Sequence, residues 1–111
     1  LQGDGGFLYT CQEINTAVRW KIPLVAIVMN NNCHGAEKAQ QLRNFQGRLV
    51  GVDLVNPRFD KLAEINGARG FYAERAQDIP DMVGAALEAE GPSVVEIPIA
   101  EYFPPPAVKR S

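Results

Sequence analysis

Residues 2–31, with the sequence QGDGGFLYTCQEINTAVRWKIPLVAIVMNN, decide the fold of this chain. The stretch opens with Gly3-Asp4-Gly5 and closes with Asn30-Asn31, and residues 6–29 form a gap of 24 residues between these two polar groups. A β-α-β unit takes roughly 30 residues, which agrees with this separation. We therefore expect two polar loops that lie side by side at one edge of a parallel sheet.

The gap itself has the pattern of a helix followed by a strand. Apolar residues recur at three- and four-residue steps over residues 7–20, which predicts an amphipathic helix. Pro23 prevents this helix from continuing, and the apolar run at 24–29 predicts a fully buried strand.

Helix and strand patterns alternate along the rest of the chain. The predicted elements are a polar loop at 30–35, a helix at 36–45, an extended segment at 49–54, a helix that Asn56-Pro57 caps and Gly67 ends, a strand at 70–73, a helix from Asp78-Ile79-Pro80 to Gly91-Pro92, and a strand at 94–97. The expected buried stripes are Phe59, Leu62, Ala63 and Ile65 in one helix and Met82, Val83, Ala86 and Leu87 in the next. This alternation predicts an α/β fold, a three-layer parallel sheet with helices on both faces.

The composition is that of a small globular domain. The 111 residues are 46% hydrophobic and 22% charged, and the formal net charge of -2 provides no basic surface for nucleic acid. The longest apolar run is far shorter than the roughly 20 residues that cross a bilayer, and no signal peptide is visible. Cys11 and Cys33 lack metal-finger spacing, so we expect reduced thiols and a cytoplasmic protein.

The two polar loops form a candidate site. Ligands of such sheets bind beyond the carboxyl ends of the strands. Neighbouring strands are about 4.8 Å apart, so Asp4 and Asn31 can reach a common point. Taken alone, Gly3-Asp4-Gly5 would be an ordinary Asp-Gly turn. With Asn30-Asn31 in register, a site for a metal ion and a phosphate is the favoured interpretation.

The charges near this site indicate which metal it would hold. Residues 1–18 contain no Lys or Arg. The helix N–H groups that we expect to be free, those of Gly5, Gly6 and Phe7, supply only about half a positive charge. A diphosphate here would need a divalent cation, and Mg²⁺ prefers oxygen ligands such as those of Asp4 and Asn31. Gly5 and Gly6 also lack side chains, which would let a phosphate approach their amides.

These features resemble the signature of thiamine diphosphate-dependent enzymes, in which GDG precedes NN at this spacing. Residues 12–17 (QEINTA), Ile22-Pro23, residues 56–59 (NPRF) and residues 62–64 (LAE) resemble the acetolactate synthase-like branch in particular. The resemblance extends from Gln2 to about Ile99, which is nearly the whole chain.

The resemblance implies a set of site residues. The metal ligands would be the side chains of Asp4 and Asn31 and the main-chain carbonyl of Cys33. Many relatives have Ser or Thr at the position of Gly6, so a hydroxyl contact is missing here. No feature of the sequence indicates FAD, and none excludes it as a structural cofactor. The residues implied to bind thiamine diphosphate are Gly3, Asp4, Gly5, Gly6, Asn31, His34 and Gly35.

The resemblance also implies what lies outside these residues. In such enzymes a pyrimidine-binding domain of a partner subunit supplies the glutamate that activates the cofactor, so we expect the catalytic residue to lie outside this chain. The chain opens on Leu1-Gln2 without a Met, and we expect a fragment that is inactive alone. Residues 1–100 would be the partial diphosphate- and Mg²⁺-binding domain, and residues 101–111 a proline-rich tail that is extended from Tyr102.

The whole protein is expected to be a homodimer or homotetramer. It would decarboxylate a 2-keto acid, or make or break a carbon–carbon bond next to a carbonyl in a 2-keto acid or aldehyde. The alternative within enzymes is a benzoylformate decarboxylase or benzaldehyde lyase type. The alternative from another class is a non-catalytic phosphate-binding α/β module.

Several polar residues keep two interpretations. Cys33 and His34 do not form a nucleophile–base pair, because adjacent side chains usually diverge. His34 either faces the substrate or is a solvated loop residue, and Glu13 fits a salt bridge or a subunit contact better than acid–base chemistry. The tail from Tyr102 either closes over the site or lies loose at the surface. A solvated helix face is the simplest interpretation of the charged group Glu37, Lys38, Arg43 and Arg48.

Overall fold

A computed structural model describes residues 1–101 of the chain. Among these residues, four strands form one sheet in the order β1-β2-β4-β3. The predicted tail from Tyr102 onward lies outside the described residues. The elements, in chain order, are β1 (Gln2–Gly3), α1 (Asp4–Thr10), α2 (Glu13–Arg19), β2 (Val25–Asn30), α3 (Gly35–Asn44), α4 (Phe59–Ile65), β3 (Arg69–Tyr72), a 3₁₀ turn (Ala76–Asp78), α5 (Ile79–Glu88) and β4 (Ser93–Pro98).

All three strand pairs are parallel. Gln2 lies opposite Val28 where β1 pairs with β2, and β4 pairs with β2 on one side and β3 on the other. The predicted β-α-β step is therefore present. Asp4 and Asn31 each follow directly on a strand of this step, so both lie at the carboxyl edge of the sheet.

The core is divided between the two faces of the sheet, because successive strand residues point to opposite sides. Val28 and Val94 pack with Phe59 and the helices α1, α2 and α4 on one face. Val95 packs with Ala86 of α5 on the other face. The predicted three-layer α/β arrangement is confirmed. No helix of residues 1–101 has the length and apolar content that crossing a membrane requires.

The first helix differs from its prediction. It begins at Asp4 rather than at residue 7, and residues 11–12 separate it from α2. The sequence predicts that the glycines lie in a loop, but only Gly3 is extended, as the N-cap with φ of -77° and ψ of 162°. Asp4, Gly5 and Gly6 form the first helical turn. The first hydrogen bond of the helix is therefore made by the N–H of Phe7. The prediction that this N–H is free is wrong.

The segment at 45–58 contains no regular helix or strand. The extended segment predicted at 49–54 makes one isolated antiparallel bridge, between Asp53 and Cys33. Asn56 does not cap α4, whose N-cap is Arg58. The cap prediction is wrong because the Asn56 side chain is hydrogen-bonded to Asp4 and Asn30 instead.

Four predictions of burial are wrong. Ile65 and Leu87 are exposed, since each is turned by 100° or more around its helix from the buried Ala63 or Ala86. Lys38 is buried rather than part of a solvated face. In β2 only Val28 and Asn30 are buried, and its other residues are half-buried.

Candidate functional site

Three polar groups converge beyond the carboxyl ends of β1 and β2. The amide end of Asn31 lies 3.3 Å from Asp4 Oδ1 and 3.0 Å from the carbonyl oxygen of Cys33. Asp4 is buried at the first residue of α1. Asn32, between Asn31 and Cys33, has a left-handed φ of 55°, which asparagine tolerates. The structure therefore brings together the three groups that the sequence singled out.

Two arrangements of this cluster are possible, and they differ in whether the oxygen or the nitrogen of the Asn31 amide points inward. This orientation is assigned from the pattern of hydrogen bonds. With its nitrogen inward, the amide donates to both Asp4 Oδ1 and the Cys33 carbonyl. With its oxygen inward, it accepts from the Cys33 N–H at 3.4 Å, and it then faces two further oxygens at 3.0 and 3.3 Å. Oxygens bound at about 2.1 Å to an octahedral Mg²⁺ lie about 3.0 Å apart along an edge. The second arrangement fits a divalent cation.

The donor set is typical of a hard cation. In the part of the chain that the structure describes, no three His, Cys, Asp or Glu side chains converge on a point where a metal could bind. A cation at the candidate site would therefore be held by one carboxylate, one amide oxygen and one carbonyl oxygen. These are oxygen ligands of the kind that Mg²⁺ takes.

Asp4 is held in place by a residue that the sequence analysis did not assign to the site. Asn56 Nδ2 donates to Asp4 Oδ2 at 2.7 Å and to Asn30 Oδ1 at 2.8 Å. The second oxygen of Asp4, Oδ1, is the one that faces Asn31. The sequence signals for Asn56 were its position before Pro57, which is also the pattern of a helix cap, and its place in the NPRF segment at 56–59, and neither assigned it to the site.

A cavity of about 440 Å³ opens over this cluster. Asp4 and Glu37 are its acidic residues, and the described lining contains no Lys or Arg. A diphosphate in this cavity would meet negative charge unless a cation accompanied it. The lining includes every predicted site residue and consists of Gly3, Asp4, Gly5, Gly6, Tyr9, Met29, Asn31, Cys33, His34, Gly35, Ala36, Glu37 and Ile99.

The two glycines of the first turn of α1 have different surroundings. A Cβ on Gly5 would lie 2.6 Å from His34 Nδ1, whereas a Cβ on Gly6 would have Gln2 Oε1 at 3.9 Å as its nearest atom. The space beside Gly5 is thus filled by the imidazole rather than left for a phosphate. The side of Gly6 remains open, and its N–H lies outside the helical ladder.

His34 forms part of the cavity wall. Its ring stacks on Tyr9 with a centroid distance of 6.4 Å. The backbone N–H of His34 donates to the Val52 carbonyl at 2.8 Å. This backbone N–H is therefore already paired. Gly35 follows as the first residue of α3, and a Cβ there would lie 3.3 Å from Asn31 Nδ2. The absence of a side chain at Gly35 leaves room for the Asn31 amide.

Two buried groups beside the site, the thiol of Cys33 and the amine of Lys38, have structural rather than chemical roles. Burial raises the pKa of the Cys33 thiol, which keeps it neutral and argues against a nucleophilic role. Lys38 Nζ lies 2.7 Å from Asp53 and 2.9 Å from Glu101. Hydrogen bonds to these two carboxylates raise the pKa of Lys38. Lys38 thus ties α3 to the segment at 45–58 and to the residues after β4.

Comparison with known proteins gives a consistent result. Residues 1–97 match the family model described as "Thiamine pyrophosphate enzyme, C-terminal TPP binding domain". The chain is 37% identical over 99 residues to acetolactate synthase of Bacillus subtilis, which covers 89% of this chain and 17% of that protein. It is 36% identical over 99 residues to the catabolic acetolactate synthase of Raoultella terrigena, with coverage of 89% and 18%.

A solved structure with a similar fold is benzoylformate decarboxylase from Polynucleobacter necessarius. It superimposes with a TM-score of 0.84 at 27% identity, over 93% of this chain and 19% of that one. The chain thus spans less than a fifth of the length of the relatives that it matches.

Proposed function

Since this chain belongs to the thiamine pyrophosphate enzyme family, as its C-terminal TPP-binding domain, we propose that it anchors the diphosphate of thiamine diphosphate through Mg²⁺. The ligands in this proposal are Asp4, Asn31 and the Cys33 carbonyl. The observation that carries it is the approach of the Asn31 amide to within 3.3 Å of Asp4 Oδ1 and 3.0 Å of the Cys33 oxygen.

The charges of the proposed ligands favour anion binding. The Asp4 carboxylate neutralises one charge of the dication, while the Asn31 and Cys33 oxygens are neutral. Net positive charge therefore remains for the diphosphate. In the proposal Gly3, Gly5, Gly6, His34 and Gly35 line the diphosphate, and the backbone N–H of Gly6, on the open side of the first turn of α1, is a donor to it. Bound thiamine diphosphate supplies the carbanion chemistry, and the residues of this chain orient it.

The whole protein is proposed to be a decarboxylase or carboligase of the acetolactate synthase-like kind. Support comes from the two acetolactate synthases at 36–37% identity. A partner subunit in a homodimer or homotetramer would supply the pyrimidine-binding domain and its activating glutamate, so the 111 residues alone would be inactive. The free thiols of Cys11 and Cys33 support the cytoplasmic location that is part of this proposal.

Calorimetry of the full-length protein with thiamine diphosphate, with and without Mg²⁺, tests the proposal. We expect binding with Mg²⁺ and its loss after chelation, because the described cavity lining offers no Lys or Arg for the diphosphate. Equal affinity in both conditions would contradict the metal bridge. It would also favour the alternative of a non-catalytic phosphate-binding module.

The second candidate is a decarboxylase of the benzoylformate type. It is favoured by the benzoylformate decarboxylase structure that superimposes with a TM-score of 0.84. Comparing turnover of pyruvate with turnover of benzoylformate by the full-length protein separates the two candidates. Acetolactate formed from pyruvate supports the first, and faster consumption of benzoylformate supports the second.

A further inference from the structure

A chain of hydrogen bonds between side chains connects the candidate metal site to Glu96 in β4. Asn56 Nδ2 donates to Asp4 Oδ2 at 2.7 Å and to Asn30 Oδ1 at 2.8 Å. Asn30 Nδ2 in turn donates to Glu96 Oε1 at 2.8 Å. Asp4, Asn30 and Glu96 are each at most 8% exposed. Water therefore has little access to replace these contacts.

The donor and acceptor at each step of this series of hydrogen bonds follow from the contacts of Glu96. Glu96 Oε2 accepts from the N–H groups of Phe59 at 2.7 Å and Asp60 at 3.4 Å, at the start of α4. Because the other oxygen of Glu96 also acts as an acceptor, the nitrogen of Asn30 must face it. The oxygen of Asn30 then faces Asn56, whose nitrogen must be the atom that donates.

These hydrogen bonds contact both the Asp4 carboxylate and the turn that carries Asn31 and Cys33. Asn56 occupies Oδ2 of Asp4 and leaves Oδ1 facing Asn31. Asn30 Oδ1 also accepts from the N–H of Asn32 at 3.1 Å, within the turn that carries the other two ligands. One amide, that of Asn30, thus orients the carboxylate through Asn56 and shapes the loop directly.

We propose that Asn56, Asn30 and Glu96 are positioning residues of the metal site. They fix which oxygen of Asp4 is presented to the cation, while Asn31 binds the cation itself. The two adjacent asparagines then have different tasks. This inference rests on the proposed function, because it takes a cation at Asp4 and Asn31 as given.

The test measures the Mg²⁺ concentration for half-maximal thiamine diphosphate binding by the full-length enzyme, in the wild type and in Asn56→Ala. Loss of a residue that orients a metal ligand typically weakens metal affinity about 10- to 100-fold, and we expect a rise of that size. Asn66→Ala is the matched control. Asn66 is also half-buried and donates one side-chain hydrogen bond, to the Leu62 carbonyl at 2.9 Å, at the other end of α4. We expect it to leave the Mg²⁺ requirement unchanged.

Thermal unfolding of the metal-free proteins separates positioning from a general structural role. An Asn56→Ala protein with a lowered unfolding midpoint and an unchanged Mg²⁺ requirement would overturn the proposal. If Asn56→Ala does not fold, Asn56→Ser, which is too short to bridge Asp4 and Asn30, is measured in its place with the same criterion. A wild type that binds thiamine diphosphate without Mg²⁺ would instead overturn the proposed function.

Discussion

At the scale of single residues, Asp4 combines a structural and a chemical role. Its carboxylate lies in the first turn of α1, where negative charge interacts favourably with the helix dipole. One oxygen accepts from Asn56 and the other faces Asn31. The flanking glycines concealed the helical position of Asp4 in the sequence, because glycine next to aspartate is equally typical of a turn.

Asp4→Asn keeps the shape of this side chain and removes its charge. We expect the affinity of the full-length enzyme for thiamine diphosphate in the presence of Mg²⁺ to fall by about 100-fold or more, since a ligand should matter at least as much as the residues that orient it. Calorimetry measures the change. Asp81→Asn, at an exposed acidic position in the first turn of α5, is the control and should have wild-type affinity. Equal losses in both variants would contradict a ligand role for Asp4.

The Cys33 thiol gives a prediction that depends on pH. Burial raises its pKa above the ordinary 9.0, so the folded chain favours the neutral thiol. When the pKa of a group is higher in the folded chain than in the unfolded chain, its contribution to stability is fully present at a pH below the unfolded-chain pKa. This contribution is lost as the pH rises through the folded-chain pKa. Only the thiolate reacts with alkylating agents. We therefore expect alkylation of Cys33 in the native protein to become fast only at a pH above 9.0.

Mass spectrometry of the Cys33 peptide, after labelling at a series of pH values, measures this rate. The urea-unfolded protein is the control, and its Cys33 should react readily at lower pH. Native labelling as fast as unfolded labelling would contradict the burial of the thiol.

At the scale of helices and strands, periodic patterns predicted most elements well. The helices α3 and α5 and the strand β4 lie within three residues of their predicted bounds, because apolar periodicity and Gly or Pro stops are local signals. Gly67, which was predicted to end α4, follows this helix with a positive φ of 86°, the conformation typical of glycine at a helix end. The role of Asn56 could not be predicted in this way, because its partner Asp4 is 52 positions away. Local patterns carry no information on such a contact.

Gly70 of β3 lies directly against the backbone of Asp60 in α4. A Cβ at this position would collide with the carbonyl oxygen of Asp60 and lie 2.6 Å from its carbonyl carbon. We expect Gly70→Ala to lower the free energy of unfolding by about 1–3 kcal/mol or more, because backbone atoms must shift to relieve the overlap. Urea denaturation of the full-length protein, monitored by circular dichroism, measures the loss.

Gly84→Ala is the matched control for this substitution. Gly84 lies within α5, and a Cβ there would meet no atom within 4 Å. Alanine in a helix interior is favoured over glycine by about 1 kcal/mol, so the control should be neutral or stabilising. If alanine at Gly70 and alanine at Gly84 had the same effect on the free energy of unfolding, the close approach of β3 and α4 would be contradicted.

At the scale of the whole molecule, the parallel sheet explains how distant residues form one site. β1 and β2 are adjacent and parallel, so the residues that follow them emerge at the same edge. This part of the site was predictable, because a β-α-β step of known length fixes where its two ends lie. The segment at 45–58 completes the site by bringing in Asn56, and its irregular conformation left no pattern from which to predict that.

The most direct test of the account is the position of the cation in the full-length enzyme. Crystals grown with thiamine diphosphate and Mn²⁺, which also takes oxygen ligands, would locate the ion by its anomalous scattering. We predict a single peak bound by an Asp4 carboxylate oxygen, the Asn31 amide oxygen and the Cys33 carbonyl oxygen, at distances near the roughly 2.1 Å of Mg²⁺. An ion bound elsewhere, or an Asn31 nitrogen turned toward Asp4 in the loaded enzyme, would contradict the account.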